Sequence, residues 1–448
     1  MFDILGSLLL VCVTIHTIIV VHECGHYIVA RWLGIRVQTF AIGLGKSLFQ
    51  HTDKHQITWQ LGAVPLGGYV VLLDSRSAEY SAHDLPYALD ARPLWQKLCV
   101  YLAGPAMNII VAILLYTALY INGLEYIKPY IGNIIPESIA ARAGMQGQQT
   151  ITHIGNIPVE NWQDTTFEII SYLGSEAILP ITTHNQHTYQ LDTSNWEINP
   201  LRLQPLVSIG IDPYIPFAPP IVSKVIADSP ASGKIQVNDR ILAINTTTIN
   251  SRDNWIDALH GLQNQDITVR ILRNGHPLLI TIHSSWQFTR DWQLQAYTGI
   301  IVPLSPWPAQ HVLLVKHPPL RALHKALQTT FRLINFNGVL LSKIITREIP
   351  ITALSGPIGF VKVAMNTLNQ PFSIYLELCA IFNILIAFAN LLPFPGLDGG
   401  HVVFKVCEAI RGKALSFEFQ RLITRFSIIF LVVITIHATI NDLIRIAN

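Results

Sequence analysis

The chain has 448 residues, half of them apolar or aromatic, while charged residues make up only 13%, about half the usual share in soluble domains. That balance excludes a disordered chain and one large soluble enzyme; at ~150 residues per domain the length allows about three units, one of them dissolved in lipid. Thirty basic against 28 acidic residues leave a net charge of only +2, so there is no overall basic field to hold nucleic acid.

In chain order, the first apolar run of membrane length goes from Ile4 to Val21, and three more follow: Leu98 to Ile121, Phe372 to Leu392, and Ile423 to Ile440. Each has ~18 to 24 residues, enough to cross a ~30 Å hydrocarbon core as a helix. The first is expected to be a retained span, because Asp3 stands where a cleavable signal carries a basic flank and no A-x-A site follows. Basic residues crowd two of the connections. Arg36, Lys46, Lys54, Arg76, Arg92 and Lys97 follow the first span; Lys405, Arg411, Lys413, Arg421 and Arg425 follow the third. The opposite flanks carry only Lys128, Arg142, Lys362 and Arg445. Retention of basic loops in the cytoplasm therefore places both termini, and the stretch from about Asn122 to Pro371, outside it.

The first span ends in His22-Glu23-Cys24-Gly25-His26. Histidines at i and i+4 share a helix face and can reach one Zn²⁺, and the glutamate between them can take a proton from water. Three ionisable side chains at the edge of a membrane helix are costly and point to function. Two histidines leave a catalytic zinc site one protein ligand short, and Trp32 occupies the place of the third histidine in the extended motif. None of the five cysteines is in C-x-x-C spacing, so a thiolate zinc site is not indicated. In the loop that follows, Gln56 to Leu61 alternates polar and apolar residues and Gly67 to Leu73 is a β-prone run. Such a region either offers an edge strand to an unwound substrate or simply plugs the cytoplasmic face.

After the second span the composition turns soluble and a weak repeat emerges. Ile134-Ile135-Pro136-Glu137-Ser138-Ile139-Ala140 returns about 90 residues later as Val225-Ile226-Ala227-Asp228-Ser229-Pro230-Ala231, which suggests two copies of one small domain separated by a Pro-rich linker at Pro213 to Pro220. Beyond the second copy, Leu320, Leu323, Leu327, Phe331 and Ile334 recur at helical spacing. The stripe either packs on a domain core or lies in the outer membrane interface.

The third span runs into Asn390-Leu391-Leu392-Pro393-Phe394-Pro395-Gly396-Leu397-Asp398-Gly399-Gly400, a helix-breaking sequence that membrane depth tolerates only beside protein or a polar cavity. Candidates for the missing ligand are Glu377, Asp398, His401 and His437. The first and third spans both run inward and end at His22 and just before Asp398, which favours Asp398, with His401 as second choice. The amide of Asn390 either meets a substrate backbone or ties two helices together.

These features together resemble the site-2 protease family of intramembrane zinc metalloproteases, over nearly the whole chain. The resemblance implies a polytopic α-helical membrane protein with four transmembrane helices, a cytoplasmic membrane-associated β-region and two extracytoplasmic PDZ-like α/β domains. Its expected divisions are residues 1–121, 126–212, 219–285, 319–371 (an amphipathic periplasmic segment) and 372–448. His22, His26 and Asp398 correspond to zinc ligands, Glu23 to the catalytic base and Asn390 to a substrate contact. Gly43-Leu44-Gly45 matches the family's G-x-G segment, Ala103 to Asn108 resembles its second-span motif, and Leu354 to Ile358 the segment before the third span. Gly67, Gly68, Tyr69 and Val70 are the expected strand beside the substrate. Where the first repeat would carry a Gly-Asp turn it has Gln148-Gln149-Thr150. The implied function is an endopeptidase of the bacterial inner membrane, with its zinc near the cytoplasmic leaflet. Its substrates would be single-span proteins already cut on the outer side, such as an anti-sigma factor, and signal-peptide remnants. A catalytically silent scaffold displaying PDZ domains is the alternative; a zinc transporter would need polar residues along several spans, which are not seen.

Overall fold

The computed structural model describes residues 2–75, 82–175, 178–198, 204–288, 294–368 and 370–447; Arg76 of the basic loop lies outside them. Two compact units divide the chain, Met1–Leu124 with Val315–Asp442, and Glu125–Leu314 with Leu443–Asn448. In the first, helix α1 (Phe2–Trp32) runs past the apolar stretch and through both histidines. It stops where Gly34 turns to φ +68° and Ile35 N–H closes back on the Ala30 carbonyl at 2.8 Å, a left-handed glycine stop.

Strands β1 (Val37–Thr52) and β2 (Thr58–Leu72) follow. The two sequence runs expected here form one long strand, β2, which folds along β1. Thr39–Ile42 pairs with Gly68–Val71 on one side and Thr58–Leu61 on the other, and Thr58–Leu61 pairs again with Phe49–Thr52. Two bent strands thus act as four short ones, leaving Gly68–Val71 at an edge. Buried Ile35, Val37 and Ile57 pack with Ala30 of α1, and the rings of Tyr27, Phe40 and Trp59 meet at 5.1 to 5.7 Å, fixing the sheet to the histidine-bearing end of α1. Helix α2 (Leu94–Asn122) opens after Pro93, a fitting residue just before a helix because it lacks an N–H to satisfy.

The second unit contains two segments of matching topology. Four-stranded sheets are built from residues 157–158, 151–154, 178–183 and 188–192, and from 247–248, 240–244, 266–273 and 276–283, in those spatial orders. Helix α3 (Ile139–Arg142) belongs to the first segment, as does α4 (Trp162–Ser171), capped by the Asn161 side chain. Helix α5 (Pro205–Ile209) follows, and α6 (Arg252–Ala258), capped by Ser251, takes the place of α4 in the second segment. The repeated motif has a structural reason. Ile135 N–H bonds the Gly210 carbonyl and Ile226 N–H the Gly299 carbonyl, both at 2.9 Å. Ser138 and Ser229 press so closely on those glycines that a Cβ would fall about 2 Å from their hydroxyls. The second segment runs on past residue 285: Ile300–Ile301 pairs with Lys224–Val225, and Ala296 and Val302 are part of its core.

Returning to the first unit, α7 (Pro319–Ile345) is the expected amphipathic helix. Its buried face, however, is Ala322, Ala326, Thr330 and Leu333, while Leu320 and Phe331 are 84% and 65% exposed. Small residues allow close helix approach where lipid offers no hydrophobic drive, and the Tyr120 and Thr329 hydroxyls bond across the α2–α7 contact at 2.9 Å. Helix α8 (Pro357–Thr367) joins α1 and α9 (Phe372–Leu391) through buried Val11, Ile18, Met365 and Phe382. Helix α10 (Asp398–Arg411) and α11 (Phe417–Ala447) complete the chain. Among the described residues four stretches are long and apolar enough to cross a membrane: Gly6–Trp32, Leu94–Asn122, Phe372–Leu391 and Glu418–Ile446.

Candidate metal centre

One turn of α1 separates His22 from His26, and Asp398 is the first residue of α10. The two Nε2 atoms are 3.2 Å apart and lie 3.0 and 3.3 Å from Oδ2 of Asp398. Ligands bound tetrahedrally at 2.0–2.1 Å stand about 3.3 Å from one another. The three atoms are thus spaced like three corners of such a tetrahedron and could hold one metal ion. His26 gives Nδ1–H to the Val100 carbonyl at 2.8 Å, which turns the lone pair of Nε2 toward the centre. Oδ2 of Asp398 is buried and has no hydrogen-bond partner. A carboxylate oxygen held at 3.3 Å from a lone pair fits a cation between them, and the donor set suits zinc. Among the described residues, this is the group of three such side chains whose donor atoms converge within bonding range of a single ion.

The neighbouring elements explain how residues so distant in sequence meet. Gly104 of α2 lies against both rings: a Cβ there would be 2.3 Å from Nε2 of His26 and 2.7 Å from that of His22. On the other side, α9 ends at Leu391 because Pro393 disfavours helix at the residue before it. The start of α10 then folds back so tightly that a Cβ on Gly399 would meet the Leu391 carbonyl at 2.3 Å. Asp398 thus sits in the first turn of α10, where the helix dipole favours a carboxylate.

Glu23 is adjacent to the trio on α1, and the β2 edge passes beside it, since a Cβ on Gly68 would stand 3.0 Å from Cγ of Glu23. Tyr69 is exposed and donates its hydroxyl to Gln60 at 3.1 Å, while Val70 pairs with Phe40. Gly67 takes φ +90°, and Gly43 and Gly45 take +85° and +84°; Gly43 packs on the backbone of Gly62 and Val64, and Gly45 on the Val64 side chain. Asn390 donates to the Ile386 carbonyl of its own helix at 3.0 Å. His401, the second-choice ligand, stacks on Tyr101 with ring centroids 5.0 Å apart and stays outside the cluster. Sequence reasoning missed the Val100 carbonyl, whose role has no residue-type signal, and the part played by Gly104, although the Ala103-Gly104-Pro105 motif marked its place.

The model of Peptidase family M50 matches residues 10–434. The chain is 29% identical over 450 residues to the regulator of sigma-E protease RseP of Escherichia coli, covering 99% of this chain and 100% of that protein. It is 30% identical over 447 residues to the regulator of sigma E protease of Haemophilus influenzae, covering 98% of each. Identity to a putative zinc metalloprotease of Vibrio cholerae is 27% over 417 residues, 92% of each chain.

Proposed function

Because the chain belongs to peptidase family M50 and is an intramembrane zinc metalloprotease, we propose that His22, His26 and Asp398 hold its zinc and that Glu23 is its proton carrier. The convergence of three donor atoms within 3.3 Å from the two ends of the chain carries this reading. Bound Zn²⁺ supplies Lewis-acid polarisation of the scissile carbonyl and acidifies water. Glu23 takes the proton of the attacking water and delivers it to the leaving amide nitrogen. A transmembrane substrate must first unwind, and the free edge at Gly68–Val71 supplies backbone partners that lipid cannot, by β-addition. That edge lies beside Glu23, so the bound strand is presented to the base. The Asn390 amide, now spent on its own helix, turns to the substrate backbone.

The protein acts in the inner membrane and in the sigma-E pathway that its relatives' names specify. Its substrates on this reading are single-span proteins shortened by a prior outer cut, among them an anti-sigma factor, with signal-peptide remnants as further candidates. The basic loops face the cytoplasm, so the metal centre lies near the cytoplasmic leaflet and both termini and the segment Glu125–Leu314 are periplasmic. The two segments of matching topology act there as PDZ-like filters that exclude substrates with bulky outer domains. Glu23→Gln is the test of the chemistry: zinc content should be unchanged and cleavage of a model transmembrane substrate abolished. Near-normal turnover in that variant would remove the assignment.

A further inference from the structure

Nδ1 of His22 is buried and has no hydrogen-bond partner, whereas Nδ1 of His26 bonds the Val100 carbonyl. A metal-bound histidine almost always gives its other ring N–H to an acceptor, which fixes tautomer and ring orientation. Asn108 of α2 is fully buried, and neither Oδ1 nor Nδ2 of its amide has a partner. Asn383 and Asn390 of α9 each donate to a carbonyl four residues back in their own helix; Asn108 leaves that bond unmade. An unused amide is costly in an apolar interior, and polar groups buried in membrane helices point to function. The packing brings the two groups toward each other. Along α2, His26 meets Val100 and His22 meets Gly104, so the two helices run in opposite directions. A Cβ on Gly104 would stand 2.7 Å from Cε1 of His22, the ring carbon bonded to Nδ1. Asn108 is one turn beyond Gly104 on the same face. Because side chains lean toward the N-terminus of their helix, His22 leans along α1 toward the level of Asn108, and Asn108 leans back along α2 toward His22.

We infer, resting on the reading of His22 as a zinc ligand, that Asn108 is the positioning residue for its ring. Nδ1–H of His22 donates to one buried water, and that water donates to Oδ1 of Asn108. A water placed between two buried polar groups satisfies both, and the Nε2 lone pair of His22 is then held toward the metal. Asn108 does for His22 what the Val100 carbonyl does for His26, so α2 orients both histidines of α1.

Competition for zinc between a chelator and the purified full chain in detergent is the experiment. Asn108→Leu, similar in shape but without an acceptor, should lose zinc at about 10- to 100-fold lower chelator activity. Asn108→Asp keeps Oδ1 and should hold zinc as tightly as the wild type or more so. Thr330→Val is the control: Thr330 is fully buried with an unpartnered hydroxyl, but its neighbour Thr329 bonds Tyr120 near the far end of α2, so zinc binding should not change. A leucine variant that binds zinc within threefold of the wild type would overturn the inference. Equal loss in Thr330→Val would do the same, because any loosening of the bundle would then suffice. His22→Ala separates this role from the ligand assignment. Zinc kept at full affinity in that variant would remove the ligand and Asn108's role together, whereas zinc lost there but kept in Asn108→Leu would remove Asn108's role alone. A crystal structure of the zinc-loaded wild type needs no variant: one water should join Nδ1 of His22 to Oδ1 of Asn108, and any other acceptor on that Nδ1 would overturn the inference.

Discussion

Replacing Gly104 by alanine places a methyl group 2.3 Å from the Nε2 atom of His26 and 2.7 Å from that of His22. Ordinary contact begins about 1 Å farther out, so the His26 ring must retreat by roughly that distance or α2 must withdraw from α1. Retreat of the ring strains its bond to the Val100 carbonyl, now 2.8 Å, and spreads the three donor atoms. Disturbing the groups that orient a metal ligand costs about 10- to 100-fold in metal affinity, and a displacement of about 1 Å costs on the order of 100-fold in rate. Gly104→Ala should therefore lose zinc to a competing chelator at 10- to 100-fold lower chelator activity, and at saturating zinc cleave about 100-fold more slowly. Gly338→Ala is the control: nothing lies within 4 Å of the new methyl, and within helix α7 it should leave zinc untouched and add about 0.5–1 kcal/mol of stability. A Gly104→Ala protein that bound zinc within threefold of the wild type would refute the packing argument.

Two further outcomes follow from other parts of the chain. Asp239 is buried, which raises its carboxyl pKa, but bonds from Arg273 at 2.8 and 2.7 Å outweigh burial and hold it below the ordinary carboxylate value. Stability from this pair should be full above the unfolded value of about 3.9 and fade as pH falls through the lower folded value. Asp239→Ala should cost about 3 kcal/mol near neutrality, the low end for a buried pair because Arg273 is 22% exposed; thermal unfolding against pH checks both, and an unchanged acid limb in the variant would count against it. In an otherwise cysteine-free chain, Ser75→Cys should resist a membrane-impermeant thiol reagent applied to intact cells while Ser232→Cys reacts, and the reverse pattern would invert the topology.

The candidate metal site was legible because its signals are local and costly. A histidine pair at i and i+4 around a glutamate has few uses at the edge of a membrane helix, and helix direction favoured Asp398 among candidates hundreds of residues away, with His401 left as second choice. The helix at 319–345 was legible as an element, but its buried face was not. The stripe Leu320, Leu323, Leu327, Phe331 and Ile334 could be read as packing on a domain core or as lying in the membrane interface; the structure buries Ala322, Ala326 and Thr330, small residues that let helices approach closely. The sheet was seen as two β-prone runs, whereas both belong to one strand that folds along β1. Bends of that kind depend on partners elsewhere in the chain, which periodicity does not encode. Asn390 stood out as polar in an apolar helix, yet its bond to Ile386 is a common way to satisfy such a side chain within its own turn.

The central claim is that one zinc ion is shared by the first turn of α10 and the histidine pair of α1. Zinc K-edge X-ray absorption on the purified wild-type protein tests it most directly. The account predicts one zinc per chain with two nitrogen donors and a carboxylate oxygen at about 2.0–2.2 Å, and loss of the oxygen-bearing site in Asp398→Ala. A sulfur donor near 2.3 Å, or an unchanged spectrum in the Asp398 variant, would contradict it.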